Sequence, residues 1–245
     1  LGDTLLKAIE FNSVSLRYDN CLALDAVSLC AEQGQVTAIL GENGAGKTSA
    51  LALMAGTQSP SRGRVLRGVG DQRALGYCPQ EIAVWDNLTV KEQLLLVASL
   101  YGLEAREAGR RMEGITYELS LSGQEGKKAR ELSRGNRRKL NLALALIHDP
   151  ELLVLDEPEA ELDLETRERL FISLRKLSRE RGKTLVISTH HPREAQAVAD
   201  KVIIMRGGRI SAEGPTAGLL NGEAGGLEAA YLRWARPEAL EGDRP

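Results

Sequence analysis

The chain has 245 residues, of which 27% are charged, and a formal net charge of -2. That length suits one large α/β domain, or a domain carrying an insertion. The near-neutral balance argues against a polyanion-binding surface spread over the molecule, so no nucleic-acid partner is expected. Cys21, Cys30 and Cys78 form no CxxC pair and read as packed thiols of a reducing cytosol. No uncharged apolar run approaches the ~18–20 residues that span a bilayer, and the opening LGDTLLKAIEFNS lacks a signal-peptide pattern.

Apolar segments alternate with helical patterns, which predicts an α/β sheet wrapped by helices. VTAIL at Val36–Leu40, bounded by Gly34 and Gly41, reads as a buried strand, followed by a small-residue helix from about Gly46 to Ala55 that Gly56 stops. From about 81 to 149 helix dominates: Thr89 and Glu92 form a capping box and Gly102 closes that helix. This stretch reads as a helical subdomain inserted in the core. ELLVLDEP (Glu151–Pro158) is a buried strand ending in two acids. A helix starts near Asp163, places Leu170, Leu174 and Leu177 on one face and stops at Gly182. TLVISTH (Thr184–His190) is a third buried strand. Val202–Met205 and Arg209–Gly214 flank Gly207-Gly208 as a hairpin. Beyond Gly214 the sequence offers one helix, LEAAYLRWA, and a frayed EGDRP.

The chemistry lies where strands meet helices. GENGAGKT, Gly41–Thr48, satisfies the P-loop pattern with a strand before it and a helix after it. Gly41, Gly44 and Gly46 let backbone N–H groups turn inward around phosphate, with Glu42, Asn43, Ala45 and Ser49 completing the loop and helix start. Lys47 reaches the β- and γ-phosphates, and the Thr48 hydroxyl suits Mg²⁺. Asp156, at the end of a buried strand, suits the Mg²⁺ shell. Glu157 is placed to polarise an attacking water. These residues predict binding and hydrolysis of a nucleoside triphosphate, with ATP and Mg²⁺ as the ligands.

In their order, the motifs of the chain resemble the nucleotide-binding domain of ABC transporters, over about residues 5–214, leaving 215–245 as a C-terminal extension. Gln80 in GYCPQE matches the family's glutamine loop, LSRGNRRKL (Leu132–Leu140) its signature, Asp163 in DEPEAELD its D-loop aspartate, and His190 in STHH its switch histidine. Tyr18 falls where the family has an aromatic that stacks on adenine. The resemblance implies a P-loop NTPase core of the ABC ATPase type, with an N-terminal antiparallel β portion and the inserted helices. It implies that Gln80 ligates Mg²⁺ or positions water and that His190 holds the γ-phosphate in register. Ser133, Arg134, Gly135 and Asn136 then face ATP bound by a second ATP-binding subunit. A membrane-spanning permease is the other partner, at the cytoplasmic face of a membrane. The wording GNRRKLNLALALIHDP is most similar to the exporter group that includes subfamily A transporters and bacterial drug, lipid or polysaccharide exporters.

Three positions depart from the family pattern: Arg134 and Glu161, where glycine is usual, and Ala160, where a small polar residue is usual. Arginine is bulky and dislikes positive φ, so it either crowds the closing interface and makes a slower, unequal site, which is the expectation, or reaches across it to phosphate or an acid with a charge-assisted bond. Two rival readings are a soluble ABC ATPase acting on ribosomes or DNA, and an ATP-binding dimerisation subunit that barely hydrolyses. One cassette without heptads or a cysteine cluster opposes the first; Glu157 and His190 oppose the second.

Overall fold

In the computed structural model, residues 6–68, 74–220 and 225–235 are described. β1 (Lys7–Tyr18), β2 (Cys21–Glu32) and β4 (Arg62–Arg67) form an antiparallel sheet in the order β2-β1-β4. Register shifts along β1, one of them around the left-handed Ser13, keep Phe11, Val14 and Leu16 on the buried face.

The second sheet has the order β5-β6-β7-β3-β8-β9. Its parallel strands are β3 (Val36–Leu40), β5 (Leu75–Cys78), β6 (Leu152–Asp156), β7 (Thr184–Thr189) and β8 (Lys201–Arg206). β9 (Arg209–Pro215) returns antiparallel through the expected glycine turn. β3, β6 and β7 are buried at every residue, as strands covered on both faces must be. Alternate residues serve two separate cores. Leu153, Leu155, Leu185 and Ile187 join the helices on one face. Val154, Val186 and Ile39 face the antiparallel sheet and helix α1 (Lys47–Ala55) on the other. The expected α/β architecture with its N-terminal antiparallel portion is therefore present.

Between β5 and β6 the chain forms α2 (Val90–Leu100), α3 (Ala105–Glu118), a 3-10 turn (Ala129–Glu131) and α4 (Arg134–Leu146). The capping box starts α2: Thr89 Oγ1 accepts from Glu92 N–H at 3.1 Å, and Glu92 Oε2 accepts from Thr89 N–H at 2.7 Å. α5 (Leu164–Arg181) runs from Asp163 to the left-handed Gly182, followed after β7 by α6 (Pro192–Val198) and after β9 by α7 (Thr216–Leu219). α8 (Gly226–Ala235) covers the C-terminal helical pattern and buries Leu227 and Ala230 in the same core as α6, whereas the frayed EGDRP lies outside the described residues. Among the described residues no helix is long and apolar enough to cross a membrane.

Two strand ends differ from the sequence reading. β6 stops at Asp156 because Glu157 adopts a left-handed backbone, φ 45°, and turns out of the ladder. β7 stops at Thr189, leaving His190 on the loop beyond it. Since β6, β7 and β3 are neighbours, their C-terminal ends put Asp156, His190 and the P-loop side by side.

Candidate active site

The loop leaving β3 has no room for side chains at two of its glycines. A Cβ on Gly41 would lie 2.6 Å from the Met205 carbonyl oxygen. One on Gly46, left-handed at φ 101°, would lie 2.7 Å from that of Ala23. Gly46 caps α1, so the positive end of the helix opens on a cleft of about 370 Å³. Every predicted loop position from Glu42 to Ser49 lines that cleft, and so do Tyr18, Gln80 and Glu157. Tyr18 is partly exposed on its wall. Lys47 is buried, with Nζ donating to the carbonyl oxygens of Gly41 (2.8 Å) and Glu42 (3.2 Å).

Three elements converge on Glu157. Its side chain is 8% exposed, and the carboxylate sits 3.4 Å from Lys47 Nζ and 3.7 Å from His190 Nδ1 and accepts from Gln80 Nε2 at 3.0 Å. Its backbone N–H donates to Ser188 Oγ at 2.9 Å, which helps hold a conformation that costs a non-glycine residue about 1–3 kcal/mol. His190 remains half exposed. His191, ring centroids 4.1 Å away, has its pKa lowered by burial and by His190.

Burial raises the pKa of Asp156, against the pull of the Ser188 and Thr48 hydroxyls. Ser188 donates to Asp156 Oδ1, while Oδ2 is buried without a hydrogen-bond partner among the described residues. A buried carboxylate oxygen left open beside a threonine hydroxyl fits a hard divalent cation. Glu159, fully buried and receiving the Thr189 hydroxyl, is raised by burial to about 7. Its protonated form favours the folded chain. That contribution is complete below the ordinary carboxylate range and is lost as pH rises through about 7.

The remaining predicted residues lie elsewhere. Ser133 caps α4, accepting from Asn136 N–H at 3.3 Å, and none of residues 133–136 lines the P-loop cleft. Arg134 is the first residue of α4 and has no positive φ, so its backbone does not require glycine there. Glu161 does sit in the left-handed region, at φ 68°, and its carboxylate pairs with the Arg134 guanidinium. Two of the three departures from the family pattern thus contact each other. Asp163 is occupied locally: its two oxygens accept from Thr166 N–H (2.9 Å) and Oγ1 (2.8 Å), which starts α5.

Ser188, Glu159 and Arg138 do not stand out in the sequence. Ser188 and Glu159 carry only a weak signal, a small polar residue at the end of the apolar run Leu185–Ile187 and a third acid after the pair. Arg138 sits inside the basic run Arg137-Arg138-Lys139, a pattern that gives no sign of burial for one member over the others, yet the residue is 1% exposed.

A nucleoside-triphosphate cradle at the switch point of a parallel sheet, with a buried acid beside its lysine, defines a P-loop ATPase. The family model described as "ABC transporter" matches residues 24–160. The Nod factor export ATP-binding protein I of Burkholderia thailandensis is 36% identical over 225 residues, covering 89% of this chain and 74% of that protein. The human retinal-specific phospholipid-transporting ATPase ABCA4 is 34% identical over 219 residues, 86% of this chain but 10% of that protein. Among solved structures, an ATP-binding subunit of an ABC transporter superposes with TM-score 0.84 at 25% identity, over 94% of this chain and 99% of that one. The dimeric bacterial cassette MJ0796 superposes with TM-score 0.79 at 24% identity, over 84% and 98%. The chain belongs to the ABC transporter family, in which it is an ATP-binding, ATP-hydrolysing subunit.

Proposed function

We propose that this subunit powers export through a membrane-spanning partner, by closing in pairs over ATP at the cytoplasmic face of the membrane. The observation that carries the reading is the Glu157 carboxylate, buried and held by side chains from three separate segments at the mouth of the P-loop. In that position it takes the proton of an attacking water while Lys47 offsets phosphate charge and His190 and Gln80 hold the geometry. Tyr18 supports the adenine from the cleft wall. Thr48, Asp156 and Gln80 are the residues that would hold Mg²⁺, which when bound neutralises phosphate charge. Similarity to a Nod factor export protein supports the direction of transport.

Pairing follows from where the donors lie. Ser133, Gly135 and Asn136 form a solvent-accessible helix start outside their own P-loop cleft, so they serve a second subunit's nucleotide, together with Asp163. The Glu157→Gln variant with ATP is expected to sediment as a dimer, and as a monomer without nucleotide. A stable ATP-bound monomer at high protein concentration would overturn the shared-site reading.

The membrane partner is proposed to seat an apolar segment in the groove of about 990 Å³ lined by Leu66, Trp85, Val97 and Leu144. Trp85 and Leu66 are about half exposed there, and Pro79 places the groove directly beside Gln80.

Arg134 bears on the rate of closure. Tied to Glu161, its guanidinium fills space in front of α4 where backbone donors have to approach phosphate. Arg134→Gly is expected to raise the ATPase rate of the isolated protein several-fold. A tenfold fall, worth about 1.4 kcal/mol, would instead make Arg134 a working phosphate contact.

A further inference from the structure

Arg138 is the largest fully buried side chain among the described residues. A guanidinium has five N–H donors in a fixed fork, and all five are used here on main-chain carbonyls of two segments. Nη2 donates to the carbonyl oxygens of Asp156 and Glu157, both at 2.6 Å, and Nε to that of Pro158 at 3.4 Å. Nη1 donates to those of Pro79 at 2.7 Å and Gln80 at 2.9 Å. Asn141, on the same face of α4 one turn later, reinforces the second segment: Nδ2 donates to the Pro79 carbonyl at 3.2 Å and Oδ1 accepts from Ala83 N–H at 3.1 Å. A buried charge satisfied wholly by carbonyls is costly to place unless the segments that supply them are fixed around it. The segments fixed are the left-handed turn that carries Glu157 and the loop that carries Gln80.

We propose that Arg138 is a positioning residue that couples the two nucleotide sites of the paired subunits. It lies on α4 little more than one helical turn after Ser133. A displacement of α4 when Ser133 meets the partner's nucleotide is carried by the fork to the Glu157 turn and the Gln80 loop, which serve this chain's own nucleotide. The proposal rests on the paired reading given above. It makes Glu157 and Gln80 move as one unit with α4, since no donor of the fork is left to slip.

The test is steady-state hydrolysis of Mg-ATP by the full chain, wild type against Arg138→Gln, with kcat, KM and the Hill coefficient read separately and the folded fraction measured by thermal melting. Arg138→Gln is expected to lower kcat about tenfold or more, to leave KM within about threefold because the P-loop is untouched, and to bring the Hill coefficient from above one to one. Arg138→Lys keeps the buried charge but offers three donors without the fork, so it serves if the glutamine variant does not fold. It is expected to show the same loss of cooperativity with a smaller fall in kcat. Wild-type kcat and Hill coefficient in a folded variant overturn the proposal. So does a fall in kcat with the Hill coefficient unchanged, which would leave Arg138 a purely local support. A loss of activity that only tracks the folded fraction overturns it as well. A Hill coefficient of one in the wild type is a distinct result: it overturns the paired reading, and this proposal with it.

Discussion

Glu157→Gln is expected to cut kcat about a thousandfold, some 4 kcal/mol of transition-state stabilisation, while ATP affinity stays within about threefold. Glutamine matches the shape of glutamate, and its carbonyl can still accept from Gln80 Nε2, so the turn held by Ser188 and Arg138 has no reason to move. What disappears is the basic lone pair and the charge facing Lys47 and His190. With the proposed roles, binding would depend on backbone donors and Lys47, and chemistry on Glu157 as the proton acceptor, so the two should separate cleanly. Single-turnover hydrolysis alongside equilibrium ATP binding reads both. Hydrolysis at the wild-type rate would remove Glu157 from the base role and turn attention to His190.

The separation of roles was partly written in the sequence, and the reason is the length scale of each signal. Buried parallel strands announce themselves as short apolar runs, so β3, β6 and β7 are legible to within a residue or two. Gly41 and Gly46 were legible because a phosphate-cradling loop leaves no space for a Cβ, a constraint local to a few residues. The capping box of α2 is likewise complete within four residues. What escaped depends on distant partners. Glu157 leaves its strand because Ser188, on a neighbouring strand, captures its N–H. Arg138 is hidden in a basic run, and only the approach of two remote loops turns it inward. The contact between Arg134 and Glu161 is illegible for the same reason: the two lie 27 positions apart, and it is Glu161, not Arg134, that takes up the left-handed backbone.

Lys47→Ala is expected to weaken ATP binding about a hundredfold or more, roughly 2.7 kcal/mol, and to remove measurable turnover. A lysine ammonium has three donors. In this structure two are given to Gly41 and Glu42 carbonyls and the third faces Glu157. The first two contacts aim Nζ across the loop, so the ammonium is positioned before any phosphate arrives. The third is the one a phosphate oxygen displaces, since a more highly charged group competes for the same donor. With the proposed roles, nucleotide entry would both occupy Lys47 and release the Glu157 carboxylate, which in the free structure is also hydrogen-bonded to Gln80. Alanine removes the phosphate contact and also leaves a buried carboxylate without its nearest cation, so a lower melting temperature in the nucleotide-free protein should accompany the lost affinity. Lys47→Arg is not expected to restore binding, because a planar fork cannot follow the two loop carbonyls that orient a compact ammonium. Calorimetric titration with ATP, paired with thermal melting of the free protein, checks both arms. An ATP affinity within threefold of the wild type would mean that backbone donors of the loop suffice, and that Lys47 serves mainly to hold Glu157.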